Sequence, residues 1–224
     1  MRLTLLLFLL AIFSCYRKEK IEASKDNFTF YPNMTGNSED KKSLIKERSY
    51  NNRIFNLPDL FNGSKDSLEI RIWPWGAFDW RKDVFVFRFA NGGWNGFHYN
   101  SLSGHLKLYE GNIISYKDQQ DFEDSVFIAK EIVPGCDWVK FADSISFFQI
   151  PVLPTQDSIK DFRHINHTDG NGCSFEIATP SSYRYLYYDI PESYQYKECR
   201  QIEEFIAMLK RQLGKDYHWP RHQD

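Results

Sequence analysis

The tightest group of potential metal ligands is a short stretch with two histidines and an aspartate, His164, His167 and Asp169. A zinc site on a helix needs histidines four residues apart, so that both imidazoles lie on one face. The spacing here is three, in a segment with the composition of a loop. A further ligand would have to come from elsewhere in the fold. We therefore expect no metal site and no bound cofactor.

Acidic residues offer a second candidate chemistry, because Glu176 and Asp189 lie on or beside two strands that we expect to pair. Two carboxylates flanking a cleft are the machinery of a glycosidase, provided that their separation is correct. The sequence contains no nucleophile elbow, phosphate-binding loop, dinucleotide-binding glycine pattern or C-x-x-C motif. A binding module is therefore the first hypothesis, and a hydrolase whose site no linear motif reveals is the alternative.

Aromatic residues are concentrated in one short segment that contains Trp73, Trp75, Phe78 and Trp80. A proline and a glycine interrupt this segment, so we expect a loop. Large aromatic side chains in a loop indicate either a binding surface for a protein or a glycan, or an anchor in the core. The aromatic loop is the candidate binding site.

The N-terminus has the pattern of a secretory signal. Arg2 supplies a positive charge, and residues 3–13 are apolar except for one threonine. A membrane-spanning helix needs about 20 apolar residues, so this stretch is too short to remain as a span. The residues that precede Cys15, Ala-Ile-Phe-Ser, resemble the lipobox of bacterial lipoproteins.

This resemblance implies that residues 1–14 are removed and that the Cys15 thiol carries diacylglycerol. Two or three acyl chains, palmitate among them, would then hold the protein on a membrane, since each buried methylene contributes about 0.8 kcal/mol. Tyr16 follows the cysteine in place of the aspartate that retains some lipoproteins at the inner membrane. The resemblance therefore favours a cell-envelope location at the outer membrane.

Three cysteines remain beyond the anchor, Cys136, Cys173 and Cys199. In an oxidising envelope, a disulfide between Cys173 and Cys199 would join a late hairpin to the last helix. An odd number of cysteines leaves buried free thiols as the alternative, because Cys199 lies on the apolar side of that helix.

Composition places the rest of the chain in the globular class. Hydrophobic residues make up 42% of the 224 residues, and the formal net charge is −2. Nucleic-acid binding usually requires a basic face, so we expect no nucleic-acid partner. Residues 15–53 lack hydrophobic periodicity, which predicts a flexible polar tether. We expect one domain over residues 54–214 and a tail over residues 215–224.

Alternating apolar and polar residues predict an antiparallel meander in the first part of the domain and a hairpin later. Apolar residues recurring at three and four predict one helix over residues 137–148 and a C-terminal helix that ends at Gly214. The fold class is therefore α+β, with two amphipathic helices packed on one face of the sheet. The predicted strands cover residues 67–73, 84–90, 94–99, 106–109, 113–116, 125–132, 174–178 and 183–188.

The second half of the domain resembles a loose pattern found in uncharacterised secreted bacterial proteins, over residues 134–214. The resemblance implies a fold but no activity. The residues that carry it are Trp138, Leu153, Pro154, Asp157, Asp169, Gly170, Glu176, Tyr183, Arg184 and Pro191.

Overall fold

The computed structural model describes residues 38–76, 82–101, 108–109, 112–113, 127–165 and 170–214. The signal, Cys15 and the C-terminal tail lie outside these ranges. No helix within them is long and apolar enough to cross a bilayer. The elements, in chain order, are α1 Ser38–Ile54, β1 Leu68–Gly76, β2 Asp83–Ala90, β3 Gly93–Ser101, β4 Leu108–Tyr109, β5 Asn112–Ile113, β6 Phe127–Glu131, α2 Trp138–Phe147, β7 Asn171–Thr179, β8 Ser182–Asp189 and α3 Lys197–Leu213, with short 3-10 turns at Ile150–Val152, Gln156–Ser158 and Pro191–Ser193.

Six strands form one sheet in the order β6-β3-β2-β1-β7-β8, and every neighbouring pair is antiparallel. The strands β1, β2, β3 and β6 form a meander. The chain then returns to the other side of β1, where β7 pairs with it and β8 follows as a hairpin. The prediction of an α+β fold with an antiparallel meander is confirmed.

One face of the sheet is apolar and carries α2 and α3. Ile72 pairs with Phe85 on one side and with Phe175 on the other, so the three side chains point to the same face. They share a core cluster with Phe141 of α2 and Phe205 of α3. The two predicted helices therefore do lie on one face. Gly214 ends α3 with a positive φ of 77°, as the sequence predicts.

The opposite face carries α1, where the sequence analysis predicts a flexible tether. That prediction does not hold for residues 38–53, because α1 is folded against the sheet. Its contact side is largely polar, with Arg48, Asn51 and Asn52 buried beside Leu44. A helix that buries polar side chains lacks the apolar period by which a helix is predicted from sequence.

A buried charged network joins α1 to this face. Arg71 is fully buried and donates from Nε to Oε1 of Glu69 at 2.7 Å. Its Nη1 donates to Oδ1 of Asn52 on α1, also at 2.7 Å. The second oxygen of Glu69 accepts from Nε of Arg88 at 3.1 Å. Buried charges are tolerated only when they are paired and hydrogen-bonded, and this network meets both requirements for Glu69.

Arg48 forms a second link between α1 and the sheet. Its guanidinium carbon lies 5.5 Å from the ring centroids of both Trp73 and Tyr185. Its Nη1 donates to Oγ of Ser174 at 3.2 Å. A cation between two aromatic rings gains electrostatic attraction that strengthens as water is excluded. The position of α1 thus depends on polar contacts of defined geometry as well as on Leu44.

We predict that Arg71→Met destabilises the domain by about 3–5 kcal/mol, because it removes one partner of a buried ion pair. Arg200→Met is the control, since Arg200 is exposed on α3, and its effect should stay within about 0.5 kcal/mol. Urea unfolding followed by circular dichroism measures both. An Arg71→Met variant as stable as the parent chain would show that the network adds nothing to stability.

Candidate functional site

Half of the predicted aromatic loop is strand. Trp73 and Trp75 belong to β1, which continues through Pro74 to Gly76. The register with β2 ends at Ile72, whereas the register with β7 continues to Gly76. Pro74 is accommodated because β1 is an edge on the β2 side at this point, where a missing N–H leaves no ladder bond unmade.

The two tryptophans of this segment that the structure describes lie on the face of the sheet that carries α1. Trp73 is 5% exposed, and its Nε1 donates to Oε2 of Glu176 at 2.8 Å. Trp73 therefore anchors this segment in the core, which is one of the two alternatives that the sequence analysis left open. Trp75 is half-buried over Gly172 and stacks on Tyr187, with ring centroids 5.9 Å apart. Phe78 and Trp80, the other residues of the aromatic loop, lie outside the described residues.

The structure describes only one residue of the predicted histidine cluster. His164 is exposed, and its Nε2 lies 3.4 Å from Oδ1 of Asp157. His167 and Asp169 lie outside the described residues. Within the ranges that the structure describes, no three histidine, cysteine or acidic side chains come together in a group that could hold a metal ion.

The two carboxylates considered as a glycosidase pair are far apart along the sheet. Glu176 pairs with Tyr185, whereas Asp189 pairs with Gly172 at the other end of the same hairpin. Four residues along a strand span roughly 13 Å, beyond the roughly 5–9.5 Å that separates the carboxyl groups of glycosidases. Glu176 is also fully buried. The structure therefore contradicts this pairing.

The buried Glu176 instead completes the contact layer beneath α1. One oxygen accepts from Trp73, and the other accepts from the hydroxyl of Tyr183 at 3.0 Å. Burial, and then the neighbouring Glu176 carboxylate, raise the pKa of Tyr183 well above its usual range. The phenol therefore keeps its proton and remains a donor to the carboxylate.

All three described cysteines are free thiols. Cys173 and Cys199 are both buried in the core that α2 and α3 share with the sheet, without the disulfide that the sequence analysis considered. Burial raises the pKa of both thiols, that of Cys199 to about 12. Because the thiolate is the nucleophile, these protonated cysteines are poor candidates for catalysis.

One histidine-carboxylate pair is brought together by strand pairing. His98 Nε2 lies 2.7 Å from Oδ1 of Asp83, which also accepts from Nδ2 of Asn100 at 2.7 Å. The ring of Phe85 stacks on the imidazole with centroids 4.5 Å apart. His98 and Asp83 come into contact because β2 pairs with β3. Their spacing along the sequence does not indicate this contact.

The two edge strands of the sheet differ in how far other residues cover them. Along β8, the buried side chains of Thr155 and Gln156 cover the edge. Oγ1 of Thr155 accepts from the backbone N–H of Tyr187 at 3.0 Å, and Oε1 of Gln156 accepts from that of Asp189 at 2.9 Å. Side chains that satisfy outward N–H groups prevent another strand from pairing there.

The same covering segment is held by two further side chains of β8. The guanidinium of Arg184 donates to the carbonyl oxygens of Pro151 and Leu153. The hydroxyl of Tyr188 donates to the carbonyl oxygen of Pro154. These contacts attach the segment to β8 between Arg184 and Asp189, so this part of the edge is covered.

Within the described residues, the other edge strand, β6, pairs with β3 on one side and with no strand on the other. Ile128, Ala129, Lys130 and Glu131 are consecutive and all exposed, although their side chains alternate between the two faces. Ile128 is 52% exposed. An exposed edge strand presents unpaired N–H and C=O groups to solvent and is a template for another strand.

The direction of the backbone groups follows from the hydrogen bonds around β3. The N–H of Ile132 donates to the carbonyl oxygen of Gly96 in β3 at 2.8 Å. Backbone groups of every second residue in a strand point to the same side, so those of Ile128 and Lys130 also point to β3. Those of Ala129 and Glu131 point outward. No residue in the described ranges hydrogen-bonds to these outward groups, and we call this row the open edge.

The chain shows no match to a protein-family model, to a curated protein or to a solved structure. The geometry therefore carries the functional argument. Within the described part of the chain, the open edge is the surface whose chemistry is most clearly exposed for recognition. The sequence predicts the strand, but it does not indicate whether a second strand pairs with the side that faces away from β3.

Two proline substitutions test the assigned backbone directions. Ala129→Pro removes an outward N–H and should change the free energy of unfolding only slightly, because no ladder bond is lost. Ile128→Pro removes an N–H that points to β3 and should destabilise by about 3 kcal/mol or more. Thermal or urea unfolding compares them. Equal destabilisation by both would contradict the assignment.

Proposed function

We propose that this protein is a non-enzymatic binding module, anchored by lipid in the bacterial cell envelope at the outer membrane. Residues 1–14 are a signal peptide, and Cys15 carries the lipid. The domain engages a protein partner through the open edge of β6. The observation that carries the binding function is the contrast between a covered β8 edge and an exposed β6 edge in one sheet.

The anchor is supported by the sequence. A positive residue, an apolar stretch shorter than a membrane span and Cys15 directly after it form the arrangement of a lipoprotein signal. Acyl chains on Cys15 would bind the bilayer through burial of methylene groups. This proposal places the domain at a membrane surface, where the open edge can meet other envelope proteins.

Binding at β6 is supported by the way proteins protect sheet edges. An exposed edge strand is a risk for aggregation, and most proteins cover it or break it. This chain covers β8 with buried side chains, so the protection is present at one edge. Leaving Ala129 and Glu131 with outward backbone groups is consistent with strand addition by a partner.

The anchor proposal predicts the behaviour of Cys15→Ser in the bacterial cell. Labelled fatty acid should no longer be incorporated, and the protein should leave the membrane fraction or stay uncleaved, because the acylated thiol is gone. Cys136→Ser, which changes a cysteine far from the signal, should label normally. Fatty-acid incorporation in Cys15→Ser at the parental level would contradict the anchor.

The binding proposal predicts site-specific cross-linking in cells. A photoreactive phenylalanine analogue at position 131, on the open edge, should give a discrete adduct. The same analogue at position 204, exposed on α3, should not. The position-131 adduct should disappear in combination with Ala129→Pro, which removes an outward N–H. Equal adducts at both positions, or an adduct that survives Ala129→Pro, would contradict binding through the open edge.

A further inference from the structure

We propose that the sheet face beneath α1 is a binding site for an arginine side chain, and that α1 is an inhibitory strap whose Arg48 occupies this site within the chain. An arginine of a protein partner binds there when α1 moves away. The inference does not depend on the open edge of β6. The site, which we call the guanidinium site, consists of Trp73, Ser174, Glu176 and Tyr185.

Strand pairing places the four side chains of the guanidinium site on one face of the sheet. Trp73 of β1 lies directly opposite Ser174 of β7. Two residues further along β7, Glu176 lies opposite Tyr185 of β8. Directly opposed residues in antiparallel strands share a face, and so do residues two apart in one strand. The face therefore offers two aromatic rings, a hydroxyl and a carboxylate at one place.

The contacts of Arg48 show which ligand this arrangement fits. Its guanidinium carbon lies 5.5 Å from the ring centroids of both Trp73 and Tyr185. Its Nη1 donates to Oγ of Ser174 at 3.2 Å. A cation is attracted to the face of an aromatic ring, most strongly where water is excluded. A planar guanidinium also stacks on such rings, whereas the compact ammonium of lysine does not, so the geometry favours arginine.

The carboxylate of Glu176 supplies the negative charge of the site. Its two oxygens accept from Trp73 and from Tyr183, which are neutral donors, so neither contact cancels this charge. Burial would lower the pKa of Arg48, but attraction to neighbouring groups, among them Tyr185 and the Glu176 carboxylate, raises it. The site therefore holds its guanidinium in the charged form.

Arg48 leaves part of its hydrogen-bonding capacity unused. Its Nε is buried and has no hydrogen-bond partner in the part of the chain that the structure describes. Its Nη2 donates to Glu47, so this contact belongs to α1 and not to the sheet. A buried donor without an acceptor lowers stability. A partner arginine that satisfies this N–H group can therefore compete with Arg48 for the site.

The contact of α1 with the sheet is less apolar than that of α3, although both helices have 17 residues. α3 buries six apolar side chains, whereas residues 42–54 of α1 bury two, Leu44 and Ile54. Hydrophobic burial is the main favourable contribution to such contacts, so local opening should detach α1 before α3. Arg71 then keeps Glu69 of its own strand, and water replaces Asn52 of α1. No charge is left both buried and unpaired.

The first measurement tests the site on the purified full chain with N-ethylguanidinium as the probe. Arg48→Ala removes the internal occupant and leaves a gap that the probe fits. We expect its melting temperature to rise by about 3–6 °C at a probe concentration tenfold above the dissociation constant. N-ethylurea, which has a similar shape without the charge, should give no rise. The parent chain, in which Arg48 fills the site, corrects for the general effect of the salt.

Two tyrosines of β8 give a matched pair of variants. Tyr185 belongs to the site, whereas Tyr187 stacks on Trp75 with ring centroids 5.9 Å apart. In the Arg48→Ala background, Tyr185→Leu should abolish the rise and Tyr187→Leu should keep it. Each variant is compared with its own melting temperature in the absence of the probe.

Amide hydrogen exchange on the parent chain tests the strap without any substitution. The probe binds the opened state, so at tenfold above its dissociation constant it should speed exchange of the α1 amides about tenfold. The α3 amides should exchange at an unchanged rate, which separates this effect from general denaturation. N-ethylurea should leave the exchange of α1 unchanged.

Three outcomes would overturn the inference. One is a rise in melting temperature that N-ethylurea reproduces, and another is a rise that survives Tyr185→Leu. The third is α1 exchange that the probe does not change in the parent chain, which would make Arg48 a permanent structural side chain. This third measurement decides the question even if Arg48→Ala does not fold.

Discussion

The contact between α1 and the sheet depends on buried charged and polar side chains that hydrogen-bond to one another across the two elements. Arg71 has no access to solvent, and its guanidinium is held by Glu69 on its own strand and by Asn52 on α1. Removing a buried charge from its partner costs more than the pair contributes, so the network requires α1 to be in place. The apolar face requires no such precision, because hydrophobic burial is not directional.

Within the described part of the chain, the two faces and the two edges of the sheet are covered to different extents. α2 and α3 cover one face and α1 covers part of the other, while Thr155 and Gln156 close the β8 edge. In the described chain this coverage stops at β6, where residues 128–131 are exposed on both faces. Pairing with β3 fixes the directions of the backbone groups of β6, and a preformed strand lowers the ordering cost of binding.

The other chemically suggestive groups have structural roles. Glu176 accepts from Trp73 and Tyr183 in the layer beneath α1. The thiols of Cys173 and Cys199 are buried and keep their protons, since burial raises both pKa values. Such groups look reactive in a sequence because residue type is visible there, but their surroundings decide whether they can react.

The sequence by itself determined what depends on local periodicity. The run of strand-forming residues in β2 and the three-four recurrence in α3 identified both elements, and the recurrence in α3 also identified the face that this helix buries. The signal pattern at Cys15 is equally local. Only the tertiary structure decided that residues 38–53 are helical, that Trp73 is buried and that residues 128–131 of β6 are exposed. Each of these features depends on tertiary contacts, and contacts between residues far apart in sequence produce no periodic pattern in the sequence.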